Sequence, residues 1–105
     1  MSPVNTYSKL KVWQKSMKFV TDIYKLTQNI PDIEKFMLTS QIRGSAVSIP
    51  SNIAQGFVRR LPKEFIRFLS ISISSLFELQ TQLKICKNIN LTGPNIFDHF
   101  YEDSH

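Results

Sequence analysis

Two sets of basic side chains recur at spacings that place them on common faces, and they are the residues best suited to chemistry. Lys11, Lys15, Lys18 and Lys25 line one side of an amphipathic N-terminal segment, with Asp22 at the same spacing. Arg59 and Arg60 precede Lys63 and Arg67, four cations at one end of two neighbouring segments. Guanidinium groups grip phosphate through paired N–H donors and ammonium groups hold it as point charges. The chemistry implied is polyanion binding. The alternative for the second set is structural, through pairing with Glu64 or with acids of a neighbouring subunit, since surface pairs form readily.

The charge balance agrees with the first use. The net charge is +5, and Asp98, Glu102 and Asp103 fall in the last eight residues, so residues 1–97 carry 13 basic groups against 5 acidic ones. Such a body attracts nucleic acid through its field and through counterion release. A solvated basic surface without a partner has the same composition. No helix-turn-helix or RNA-recognition signature is present, so phosphates rather than base edges are the expected contacts.

Signatures of enzymatic chemistry are missing from the sequence. It has no glycine-rich phosphate loop, no Cys or His pair at metal spacing and no nucleophile elbow. Cys86 lies on an apolar helical stripe and reads as core. His99 and His105 lie in the tail. Ser8 and Lys11 fit a Ser-x-x-Lys spacing without its companion motifs, and Asn90-Leu91-Thr92 is a sequon without a signal segment before it. The expectation is a protein with no catalytic residues, metal, cofactor or small-molecule substrate. One cysteine, no basic-then-apolar leader and no uninterrupted apolar span point to a cytoplasmic protein that does not cross a membrane.

Helical periodicity supplies the elements that would position these groups. Over residues 8–28, Leu10, Trp13, Met17, Val20, Tyr24 and Thr27 form one stripe and Val12, Phe19, Ile23 and Leu26 an adjacent one. Together they cover about 200° of arc, against roughly 100° needed to face one core. A second packing surface is implied. Over residues 33–56, with Asp32 as N-cap and Gly56 relieving the C-terminus, Leu38, Ile42, Ala46, Ile49 and Ile53 form an apolar stripe. Beside it run Gln41, Ser45, Ser48, Asn52 and Gln55, and Arg43 is the only charge between Phe36 and Val58. Uncharged hydrogen-bonding groups in register suit a helix–helix contact, and these five are the candidate oligomer interface.

A third helix over residues 62–89 starts at Pro62 and carries Phe65, Leu69, Ser72, Leu76, Leu79, Leu83 and Cys86 at alternating steps of four and three. Leu69 to Ser74 also alternate in the strand manner, a local competitor that the longer seam outweighs. After the turn Leu91-Thr92-Gly93-Pro94, residues 95–105 have apolar groups for a short fourth helix. The fold class expected is all-α, an up-and-down antiparallel bundle of the four-helix type with a shortened or altered fourth helix.

Several motifs on these elements resemble one family. They are Leu10-Lys-Val-Trp-Gln14, Ile23-Tyr-Lys-Leu26, Leu38-Thr-Ser-Gln-Ile-Arg43, Ser48-Ile-Pro-Ser-Asn-Ile-Ala-Gln-Gly56, Lys63-Glu-Phe-Ile-Arg-Phe-Leu69 and Ser75-Leu-Phe-Glu-Leu79. In this order they are similar to the small four-helix-bundle proteins encoded within intervening sequences of bacterial 23S ribosomal RNA genes. The resemblance implies a homo-oligomeric ring, commonly a pentamer, with no established enzymatic activity. It also implies kinship with the basic accessory variability determinant of diversity-generating retroelements, which works with a reverse transcriptase and nucleic acid.

The chain departs from that pattern in four places. Arg43-Gly44-Ser45 stands for Arg-Arg-Ala, Ala54-Gln55-Gly56 for Ala-Glu-Gly, and Leu61 for a polar helix cap. Residues 95–105 do not match the family's long, leucine-rich fourth helix. The expected function is therefore a self-assembling bundle that binds RNA or DNA without sequence specificity. Its competitor is a structural or vestigial product that assembles but has no ligand.

Overall fold

A computed structural model describes residues 7–28 and 36–88 of the chain. These form three helices in the order α1 (Lys11–Thr27), α2 (Phe36–Val58) and α3 (Pro62–Asn88), with no strand among the described residues. The segment Leu69 to Ser74 is helical throughout, because the four-three seam it belongs to buries far more than its local alternation would. Asp32, residues 33–35 and the C-terminal segment 95–105 lie outside the described residues.

Helix α1 begins three residues later than the periodicity predicts. Tyr7 to Lys9 make a 3₁₀ turn, and Leu10 takes an extended conformation (φ −70°, ψ 127°) with no side-chain cap. The Gln14 side-chain amide donates to the Ser8 carbonyl at 2.9 Å and ties the turn to the helix. At the other end Arg43 of α2 reaches across. Its Nε donates to Thr27 Oγ1 at 2.8 Å, its Nη2 to the Tyr24 carbonyl at 3.3 Å, and its guanidinium lies 4.5 Å from the centre of the Tyr24 ring. A cation beside the last carbonyls of a helix is favoured by the helix dipole. The one charge within α2 thus fastens α2 to the end of α1.

The partners run antiparallel. Going up α2 from Ser45 to Ser48 and Ile49, the contacts on α3 go down from Glu78 to Ser75 and Ser72. Helix α2 lies in the middle. It touches both others, while α1 and α3 nowhere come within 8 Å of each other between Cα atoms. The core nevertheless draws on all three: Ile23 and Leu26 from α1, Ile42, Ala46, Ile49 and Ile53 from α2, and Leu79, Leu83 and Cys86 from α3. These are the residues of the predicted stripes. Burial pushes the Cys86 thiol up to about 11, so it packs as a small apolar group and not as a thiolate.

Glycine 56 does not end α2. The helix continues to Val58, and the residue in the left-handed region is Arg60 (φ 62°), whose N–H donates to the Phe57 carbonyl at 3.2 Å. Gly56 instead allows close approach: a Cβ there would lie 2.6 Å from the Phe68 Cβ and 3.2 Å from Phe65 Cδ1. Gly44 differs, since a Cβ would meet nothing within 4 Å. Gly44→Ala should therefore raise stability by about 1 kcal/mol through helix propensity. Gly56→Ala should lower it by about 1–3 kcal/mol through overpacking. Urea denaturation of the two variants checks the opposite signs.

Candidate functional site

The antiparallel order brings the start of α1 and the α2–α3 turn to one end of the bundle. Lys11 and Lys15 belong to that end, because Trp13 and Met17 share a groove with Pro50, Ser51 and Ala54 of α2. Lys25 lies at the opposite end, two residues from the Thr27 that holds Arg43. Lys18 is between them and its Nζ pairs with Asp22 Oδ2 at 3.2 Å. The four lysines thus share a helix face but are spread over its length.

The second set is divided by one carboxylate. Arg67 donates to both oxygens of Glu64, from Nη2 at 3.1 Å and from Nε at 3.2 Å, and Arg59 Nη1 approaches the same group at 3.7 Å. Both guanidinium groups also lie over the Phe68 ring, at 4.9 Å for Arg59 and 4.6 Å for Arg67. The hydrogen bond from Arg67, and then the charges of Arg67 and Arg59, hold the Glu64 carboxyl below its ordinary value of 4.5. Arg59 and Arg67 therefore clamp the start of α3, which follows the structural alternative read from the sequence. Arg60 and Lys63 form no ion pair among the described residues and are exposed. Of the four, these two are available to an outside anion.

Beside Arg60 lies a feature that periodicity did not reveal. Gly56, Phe57, Arg60, Leu61, Pro62 and Phe65 line an open pocket of about 300 Å³ at the turn. Its aromatic walls, Phe57 and Phe65, stand edge to face with centroids 5.9 Å apart and planes at 78°. Leu61, in the place of a polar cap, is 60% exposed at the rim. The available signal was local. A glycine followed by phenylalanine, with further phenylalanines after the turn, marks helices brought close at an aromatic end.

The predicted interface strip is also divided. Ser45 Oγ donates to Glu78 Oε1 at 3.0 Å, the Ser48 and Ser75 hydroxyls are 2.8 Å apart, and the Asn52 amide donates to the Ser48 carbonyl and hydroxyl at 2.8 and 2.9 Å. Ser45 and Ser48 thus join α2 to α3 within the chain, because α3 carries a glutamate and a serine opposite them, while Asn52 bonds back to Ser48 on its own helix. Gln41 and Gln55, at the two ends of the strip, are exposed. Exposed apolar groups of α3 lie elsewhere: Ile66, Ile73 and Phe77 fall at steps of seven and four, each more than half exposed. Among the described residues no helix is long and apolar enough to cross a membrane, and no cluster of three His, Cys, Asp or Glu could hold a metal ion.

The described residues define an all-α, antiparallel helical protein with a basic end and exposed apolar groups on α1 and α3. Residues 8–105 match the family model of the 23S rRNA-intervening sequence protein, and the chain belongs to that family. No curated protein matches it.

The Glu64 cluster makes acid stability testable. A carboxyl held below its ordinary value contributes stability that is complete above 4.5 and is lost as pH falls through the folded-state value. Glu64→Gln should lower the urea midpoint slightly at pH 7, and the gap to the wild type should close between about pH 5 and about pH 3, so that the variant's decline is flatter. Parallel pH titrations of the wild type and the variant provide the comparison.

Proposed function

We propose that the chain is a non-enzymatic, self-assembling helical protein of the cytoplasm that binds RNA or DNA through phosphate contacts at its basic end. The observation that carries this reading is the division of charge at the α2–α3 turn. Arg59 and Arg67 engage Glu64, leaving Arg60 and Lys63 exposed at an end that also holds Lys11 and Lys15. Phosphate contacts of this kind position a polyanion without reading its sequence. Reversing Arg60 and Lys63 to Glu should weaken binding to ribosomal RNA fragments in gel-shift titrations. Neutralising the pair, as Ala, should reduce the salt slope by about 2, whereas Lys25→Ala, at the far end, should change affinity little. Binding that survives charge reversal, or that does not fall steeply with salt, would sink the reading.

Self-assembly is supported by the apolar groups exposed on two helices. Val12 and Met17 of α1 and Ile66, Ile73 and Phe77 of α3 are all more than 40% exposed, more than a lone small bundle needs to leave to water. Assembly raises local charge as well. Five copies at +5 would carry about +25, and linked weak patches gain avidity. The expected result of light scattering is a mass several times 12.2 kDa, with five copies as the count the family suggests. Ile73→Glu combined with Phe77→Glu should reduce it to one copy with helicity retained. A well-folded single copy of the wild type at micromolar concentration would contradict assembly.

The ligand-free structural reading is favoured by the use of Arg59, Arg67 and Glu64 to fasten the start of α3. It would be preferred if gel shifts showed only weak retention with no difference between wild type and charge-reversed protein.

A further inference from the structure

We infer that the pocket at the α2–α3 turn receives one unpaired base of a single-stranded nucleic acid, with the flanking phosphates on Arg60 and Lys63. The inference rests on the nucleic-acid reading above and adds which form of nucleic acid is bound and where.

Three properties of the pocket point this way. Its volume of about 300 Å³ is at the lower edge of the roughly 300–1,000 Å³ of ligand clefts, room for one flat ring system and not for a duplex. Its walls are Phe57, Phe65, Leu61 and Pro62, apolar surfaces on which a base gains stacking energy whatever its identity. Its only charged lining residue is Arg60, and Lys63 follows within the first turn of α3. An apolar slot with one cation, Arg60, in its lining complements a molecule whose flat face is apolar and whose backbone is anionic. The neighbouring backbone adds little base reading: the Arg60 N–H is bonded to the Phe57 carbonyl, and the Leu61 carbonyl accepts from the Phe65 N–H at 2.9 Å.

Two other cavities among the described residues fit this ligand less well. The groove of about 340 Å³ lined by Tyr7, Trp13, Val20 and Val47 has no charged lining residue, and the smaller one of about 210 Å³ at Phe77 has Lys84, which already has a partner.

The carboxylate of Glu64 does not oppose an anion here, because Arg67 and Arg59 neutralise it on their own side of the helix start. They are positioning residues that hold α3 against the turn.

Fluorescence anisotropy with a 15-nucleotide single strand, as DNA and as RNA, a duplex of the same length and a single strand of the same length with abasic sites separates the contributions. The single strand should bind about tenfold more tightly than the abasic strand, which has the same phosphates, and more tightly than the duplex. Leu61→Ala, at an exposed rim position, should cost about fivefold on the single strand with the salt slope unchanged, and nothing further on the abasic strand. Arg60→Gly, which also removes a left-handed non-glycine residue, should lower the salt slope by about one on every ligand. Equal affinity for all strands, with Leu61→Ala silent, would overturn the base pocket and leave the phosphate reading standing. If no strand binds, both fall. A drop in apparent mass of Leu61→Ala in light scattering, with strand affinity unchanged, would assign the pocket to a second copy and overturn the inference.

Discussion

The close antiparallel approach of α2 to α3 is the constraint on which the rest of the molecule depends, and small hydrogen-bonding side chains make it possible. Ser45 and Ser48 on one helix meet Glu78 and Ser75 on the other, Ser72 Oγ donates to the Ile49 carbonyl at 2.9 Å, and the Asn52 amide braces the Ser48 hydroxyl from within α2. Each such bond contributes about 1 kcal/mol net, but a buried hydroxyl left unpaired would cost more, so the two helices have one favourable register. That register places Gly56 against Phe68 and closes the turn at Arg59 and Arg60. Everything at the basic end inherits its geometry from this serine ladder.

Apolar periodicity made the helices and the core legible. The stripe through Ile42, Ala46, Ile49 and Ile53 and the seam through Leu79, Leu83 and Cys86 are buried as their spacing requires, and family membership follows the motifs they carry. Polar periodicity was less informative, because serines in register state that two helices meet but not whose helices they are. The hydroxyls of Ser75 and Ser72 that meet the Ser48 hydroxyl and the Ile49 carbonyl were both in the sequence, at positions whose pairing becomes evident only when α3 folds back on α2. Gly56 was ambiguous for a similar reason: a glycine late in a helix suits a left-handed cap or a close contact, and only the position of Phe68 decides. The left-handed residue turned out to be Arg60, which composition does not favour there.

Charge clusters were legible as clusters but not as divided ones. Four cations at the turn read alike in sequence, yet Glu64 lies where an arginine three residues later reaches it with two hydrogen bonds and Arg59 approaches from the turn after α2. Phe68 then gives both guanidinium groups a ring to stack on. Cations held in this way stiffen the start of a helix whose N-terminal residue, Pro62, follows an apolar Leu61 in place of a polar cap. The clamp thus fastens the helix start through side chains, without supplying the acceptor that a polar cap offers to the first N–H groups. It also sorts the cluster into two arginines that shape the site and two cations that face outward from it.

The same geometry reconciles assembly with ligand binding. Exposed apolar groups of α3 run along its length at Ile66, Ile73 and Phe77, whereas the available cations sit at its end. Copies joined along their sides would leave their ends free, and closed symmetry would set those ends around one rim. In the proposed assembly a strand contacting several ends would gain from each without any one binding tightly, so a weak site at each end would be sufficient. The bundle's length separates Lys25 and Arg43 from that rim. Arg43 has no part in it, because Thr27 and Tyr24 already hold its guanidinium against the end of α1.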